Sequence, residues 1–142
     1  MNEFSNSVMI ALLPTTSYWC HIELPHLTLV YVGQIEDLTP VTHNELAKAA
    51  MSLAMMNHPF SLDVLDADIL GDEDKVEVLL LRPSTSLLGM RQTVERWNAS
   101  QYPFNPHVTV GPIGSLGDVL PQSITFDRIM VAWGDETLTY KL

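Results

Sequence analysis

The chain has 142 residues, 46% of them apolar, which fits one domain spanning 1–142 with a core of its own. Seven Lys and Arg stand against seventeen Asp and Glu, a formal net charge of −10. No basic run or stripe is present to displace counterions from a polyanion, so long RNA or DNA is disfavoured as a partner. A small phosphate compound held by a few donors in a pocket remains compatible with this charge.

Residues 1–7 are polar and read as a frayed end. Val8 to Leu13 reads as a buried strand. The apolar run from Val8 to Pro14 is far shorter than the ~20 residues a membrane span needs. It also lacks the flanks of a signal peptide, so no membrane association is expected. Pro14 to Leu24 reads as an irregular loop carrying Tyr18, Trp19, Cys20 and His21. Cys20 is the only cysteine, so no internal disulfide can form, in keeping with a reducing, cytoplasmic location.

His26 to Val32 reads as a strand stopped by Gly33. A helix follows, with a capping box at Thr42 and Glu45 and an Ala-, Leu- and Met-rich body from Asn44 to Met56; His58-Pro59 ends it. Phe60 to Leu70 and Val76 to Arg82 read as a hairpin around the acidic turn at residues 71–74. A second helix, capped by Ser84 or Thr85, carries Leu87, Met90, Val94 and Trp97 at helical spacing, the mark of a core-facing stripe. Tyr102 to Pro106 leads into a strand at His107. Ile124 to Trp133 and Thr137 to Leu142 read as a closing hairpin around Gly134-Asp135. The predicted order is strand, strand, helix, strand, strand, helix, strand, strand, strand. It fits two similar α+β halves.

Two segments stand out: Pro25-His26-Leu27-Thr28-Leu29 and Pro106-His107-Val108-Thr109-Val110. With five His and eleven Thr, random placement gives about 0.4 bare His-x-Thr matches per chain. Requiring the preceding Pro and the apolar neighbours lowers this to about 0.005, so two such matches amount to internal similarity. Side chains two apart on a strand share a face. His26 and Thr28 therefore take one face, and Leu27, Leu29 and Tyr31 the other. His107 and Thr109 are set against Val108 and Val110 in the same way. If the two strands face each other, two imidazoles and two hydroxyls line one cleft.

That set suits phosphodiester cleavage. Histidine titrates near neutrality, so one imidazole can take a proton from the nucleophile while the other gives one to the leaving oxygen. The Thr hydroxyls can donate to the non-bridging phosphate oxygens as charge builds there. No metal or other cofactor is required. A zinc site is the competing reading, but zinc wants three or four closely spaced ligands, and only His21 and His26 are near neighbours. A packing role for the histidines is the other; it offers no common reason for the shared Pro, His and Thr.

At these residues the sequence resembles the two-histidine phosphoesterase superfamily. Pro25 to Gly33 is similar to the family's first motif with its trailing aromatic and glycine. Tyr102 to Val110 is similar to the second with its preceding Phe-x-Pro. The resemblance implies a bilobal α+β fold: two pseudo-symmetric antiparallel-sheet halves, helices outside, and a central cleft. It implies a hydrolase acting on a 2′,3′-cyclic phosphate, or on a 2′-5′-linked or cyclic (oligo)nucleotide. In it His26 and His107 are catalytic and Thr28 and Thr109 bind phosphate. Many RNA-directed members carry a basic residue after the second motif, where this chain has Gly111-Pro112. The compact chain looks like a phage-type member, which would act in the host cytoplasm. The rival classes are a non-catalytic module that sequesters a nucleotide and a virion or scaffold interaction protein.

Trp19 and Tyr102 are candidates to stack a substrate base, with Tyr18 and Phe104 nearby and ordinary packing as the competing reading. Arg82, Arg91, Arg96, Lys75 and Arg128 are candidate phosphate donors, each otherwise a solvated surface charge. Trp133 reads as hairpin packing, and the turn at 72–74 as a solvated loop lacking the ligand spacing of a calcium site.

Overall fold

The computed structural model describes residues 6–22, 24–117 and 120–142. Among them the chain forms β1 (Ser7–Pro14), β2 (Leu27–Gln34), α1 (Pro40–Met56), β3 (Phe60–Leu70), β4 (Val76–Leu81), α2 (Thr85–Val94), β5 (His107–Pro112), β6 (Ser123–Trp133) and β7 (Glu136–Lys141). Single 3-10 turns follow β2 and α2. The order is the one the sequence pattern predicts. The first five residues of the expected frayed end lie outside the described residues. Ser7, by contrast, already pairs with Gln34 in the sheet.

All pairings are antiparallel, in the order β2-β1-β6-β3-β4-β5, with β7 added to β6. The strand β3 joins the two halves. Its residues Phe60–Asp63 pair with β6, and from Val64 onward it pairs with β4. One half therefore holds β1, β2, β6 and β7, and the other β4 and β5. The terminal strands of this order, β2 and β5, share no ladder but touch each other, so the sheet curls until its ends meet.

Alternation along β1 explains the layering. Val8, Ile10 and Leu12 join Ile129 and Val131 of β6 in the main core, to which α1 contributes Leu46, Ala50 and Leu53. Met9, Ala11 and Leu13 face the other way and form a second buried cluster with Met130 and Ala132. Helix α2 lies against β2 and buries Leu87, Met90 and Val94, the predicted stripe.

Helix α1 starts a turn earlier than the Thr42–Glu45 box implies. Thr39 is the N-cap, its hydroxyl accepting from the Thr42 amide at 3.5 Å, and Pro40 sits in the first turn. Proline there has the right φ and lacks only an N–H that would have no helical partner, which favours the earlier start. Ser84 caps α2, accepting from the Leu87 amide at 3.2 Å. Gly33 does not end β2: it pairs with Val8 at φ +140°, inside the strand.

Phe126, fully buried where β6 passes from β3 to β7, packs at 6.1 Å centroid distance on Phe60. Phe126→Ala is expected to cost about 3–5 kcal/mol, read as a lowered urea midpoint at unchanged slope.

Candidate active site

Both histidine motifs are built by one local device. In β2, Thr28 pairs with Ala11 while Val30 pairs with Ile10, so Leu29 is an extra residue in the ladder. In β5, Thr109 pairs with Val78 while Gly111 pairs with Glu77, so Val110 is extra. Each motif thus has a β-bulge one residue after its threonine. A bulge shifts the alternation of the residues beyond it. Leu29 and Val30 are accordingly both buried, and Tyr31 pairs with Met9 on the face of Thr28. The period-two expectation that Tyr31 joins the core face is corrected by this bulge: Tyr31 and Thr28 line the same cavity.

The imidazoles are anchored alike. His26 Nδ1 lies 3.0 Å from the carbonyl oxygen of Leu24, and His107 Nδ1 lies 2.6 Å from that of Asn105. In each case the partner is two residues upstream. A carbonyl oxygen can only accept, so Nδ1 carries the proton in both rings.

A cavity of about 710 Å³ opens between the halves. Thr28 and Tyr31 reach it from β2, and His107 from β5. Asn98, Ser100, Tyr102, Phe104 and Asn105 line it from the segment leading into β5, and Leu70, Gly71 and Asp72 from the β3–β4 turn. The structure thus brings Thr28, His107 and Tyr102 to one space, with Tyr102 71% exposed at its margin. His26, 9% exposed, and Thr109, half-buried, are outside that lining, each two residues along the strand from a residue within it. The Thr28 hydroxyl lies 3.7 Å from Met9 Sδ, beside the second buried cluster.

Trp19 is elsewhere. Its ring is buried in the main core and edges a smaller cavity of about 160 Å³ with His21, Leu116 and Leu120. Of the five candidate phosphate donors only Arg91 lines the larger cavity. Arg128 donates to Asp127 and to the Pro14 carbonyl, and Arg96 stacks on Trp97. His43 stacks on Trp133 at 4.6 Å, which accounts for both as packing between α1 and β6.

The two halves are laced reciprocally. The loop before β2 holds β5: the His21 amide donates to the Val110 carbonyl at 2.8 Å, and the Cys20 thiol donates to Thr109 and Val110 carbonyls at 3.5 and 3.6 Å. The segment before β5 holds β2: the Ala99 amide donates to the Tyr31 carbonyl at 2.9 Å, and Arg91 Nη1 to the Leu29 carbonyl at 2.8 Å. Gly111 permits the first contact, since a Cβ there would fall 3.3 Å from His21 Cβ and 2.5 Å from Ser115 Oγ. Arg91 is one of the five candidate donors and nothing local sets it apart from the other four, while Asn98 and Asp72 carry no sign in the sequence as cavity residues, because each comes from an element distant along the chain from the first motif.

Among the described residues no three His, Cys, Asp or Glu side chains gather as metal ligands, and no helix is long and apolar enough to cross a membrane. No family sequence model matches the chain, and no curated protein matches it in sequence. Solved structures match its fold. Escherichia coli LigT complexed with 3′-AMP is similar at 18% identity and TM-score 0.56, over 96% of this chain and 95% of that one. Kluyveromyces marxianus Usb1 with uridine monophosphate is similar at 9% identity and TM-score 0.62, over 98% and 99%. The protein TT0787 of Thermus thermophilus is similar at 12% identity and TM-score 0.61, over 96% and 94%. By its strand order, its curled sheet and these matches, the chain has the α+β fold shared by LigT, Usb1 and TT0787.

Proposed function

We propose that the chain is a metal-independent phosphodiesterase that hydrolyses a small nucleotide phosphodiester: a 2′,3′-cyclic phosphate, or a 2′-5′-linked or cyclic (oligo)nucleotide. The observation that carries this reading is the matched anchoring of His26 and His107 by Nδ1 to a carbonyl two residues upstream. It makes Nε2 the working atom of both rings. In the neutral ring Nε2 is a base, and in the protonated ring it is an acid.

The reaction follows from that pair. One imidazole takes a proton from water as the water oxygen bonds to phosphorus. The other gives its Nε2 proton to the ribose oxygen as the P–O bond to it breaks. The Thr28 and Thr109 hydroxyls donate to the non-bridging oxygens, where charge grows most in the transition state. One proton is taken up and one delivered, so each turnover leaves the two rings with their protonation exchanged, and solvent resets them.

Size and charge support a small substrate. A cavity of about 710 Å³ whose described lining holds one Lys or Arg side chain, Arg91, suits one or two nucleotides better than a strand. LigT and Usb1, which share the fold, are found with mononucleotides. Tyr31, Tyr102 and Phe104 in the lining offer faces for a base.

Incubation with a panel of 2′,3′-cyclic nucleotides, 2′-5′ oligoadenylates and cyclic oligonucleotides should yield phosphomonoester product. Ligand recovered intact after denaturation would mean a sequestering module instead. His26→Ala and His107→Ala should each lower kcat by about 10²–10⁴-fold with an unchanged circular dichroism spectrum. Full activity in the double variant would overturn the reading, and metal-reversible inhibition by EDTA would favour zinc. Tyr102→Ala should raise KM about tenfold and leave kcat within about twofold, the pattern of a lost stacking contact.

A further inference from the structure

The proposed reaction needs Thr28 and His107 aimed at one phosphate, yet their strands are the two ends of the sheet and share no ladder. Arg91 is placed to fix that alignment. Its Nη1 donates at 2.8 Å to the carbonyl of Leu29, the bulge residue that follows Thr28 and turns Tyr31 into the cavity. Its guanidinium carbon lies 4.7 Å from the centre of the Phe104 ring, three residues before His107. Its Nε pairs with Glu95. The side chain is 12% exposed, and its helix is pinned by buried Met90 and Val94 on either side.

We infer that Arg91 is a positioning residue of the active site, clamping the bulge of the first motif to the approach of the second; this rests on the phosphodiesterase reading. A role as the phosphate-binding cation fits the geometry less well. One nitrogen is committed to a carbonyl, another to a carboxylate, and a face of the plane to an aromatic ring. The hydrogen bond from Arg91 holds the Glu95 carboxyl below its ordinary value. A lowered folded-state pKa means the pairing persists above the unfolded value and is lost as pH falls through the folded one. It is therefore in place at neutral pH. Only a planar fork makes the three contacts together; a lysine supplies a point charge.

The test compares Arg91→Lys and Arg91→Gln with the wild type, each first shown to be folded by circular dichroism. Steady-state kinetics on a 2′,3′-cyclic mononucleotide and amide hydrogen exchange across residues 27–32 are then measured. The Lys variant should lose about 10–100-fold in kcat with KM within about twofold, as expected when reacting groups are misaligned. Exchange at residues 28–31 should quicken while the centre of β1 is unchanged. Wild-type kcat in the Lys variant, or a loss confined to KM, would overturn the inference. So would a kcat loss without faster exchange, which would put Arg91 on the substrate itself. A wild-type protein inactive on every substrate would instead defeat the phosphodiesterase reading, and the exchange measurement alone would then decide whether Arg91 organises the bulge.

Discussion

The site depends on a crossed set of hydrogen bonds. Each histidine motif lies on a strand at one end of the sheet, with an outer edge that no ladder satisfies. An open edge is a cost, because its carbonyls and amides lose water without gaining partners and invite foreign strands. Here the loop that introduces the first motif covers the edge of the second, through His21 and Cys20. The segment that introduces the second covers the edge of the first through Ala99, and helix α2 before it adds Arg91. Neither motif is held by its own half alone. The geometry between Thr28 and His107 is thereby set by the same bonds that close the fold.

The bulges make that lacing possible. In a regular strand each carbonyl has a fixed direction set by alternation. An inserted residue breaks the count and frees a carbonyl to point outward. Both freed groups, Leu29 and Val110, meet a donor from the opposite approach. The device also widens the functional face. With Thr28 and Tyr31 on one side, β2 presents a hydroxyl and a phenol to the cavity, and Gln34 Nε2 steadies that phenol by donating to it at 2.5 Å.

Much of this was legible in the sequence, and the exceptions share a cause. The element order, both hairpins and the α2 stripe follow from periodicity and turn residues, which are local. The paired motifs declare themselves by repetition. Tyr31 departs from the expected face because a bulge leaves no mark in composition: Leu29-Val30 looks like ordinary strand until its partner is known. Trp19 is near the first motif in sequence, and that proximity suggests the cleft; the loop instead folds its ring into the core. Asp72 reads as a solvated turn residue, and it is exposed, but the length of the β3–β4 hairpin carries it to the cavity. Arg91 is one of seven Lys and Arg residues in the chain, and only tertiary packing separates it from the others.

The acid character of the chain bears on turnover in the proposed reaction. A phosphodiester carries one negative charge, whereas the monoester product carries about 1.5–2 near neutrality. A site built on fixed cations would hold the product more tightly than the substrate and slow its release. In the proposed reaction the Thr28 and Thr109 hydroxyls are neutral donors, and the Arg91 guanidinium in the cavity lining is already paired with Glu95. Asp72 in the lining and a net charge of −10 add repulsion that grows as the product forms. The donors strengthen where charge is transient, in the transition state, and the surroundings disfavour it where it is permanent. An acidic chain is therefore compatible with cleaving phosphate esters, provided the ester brings a single charge to the cleft.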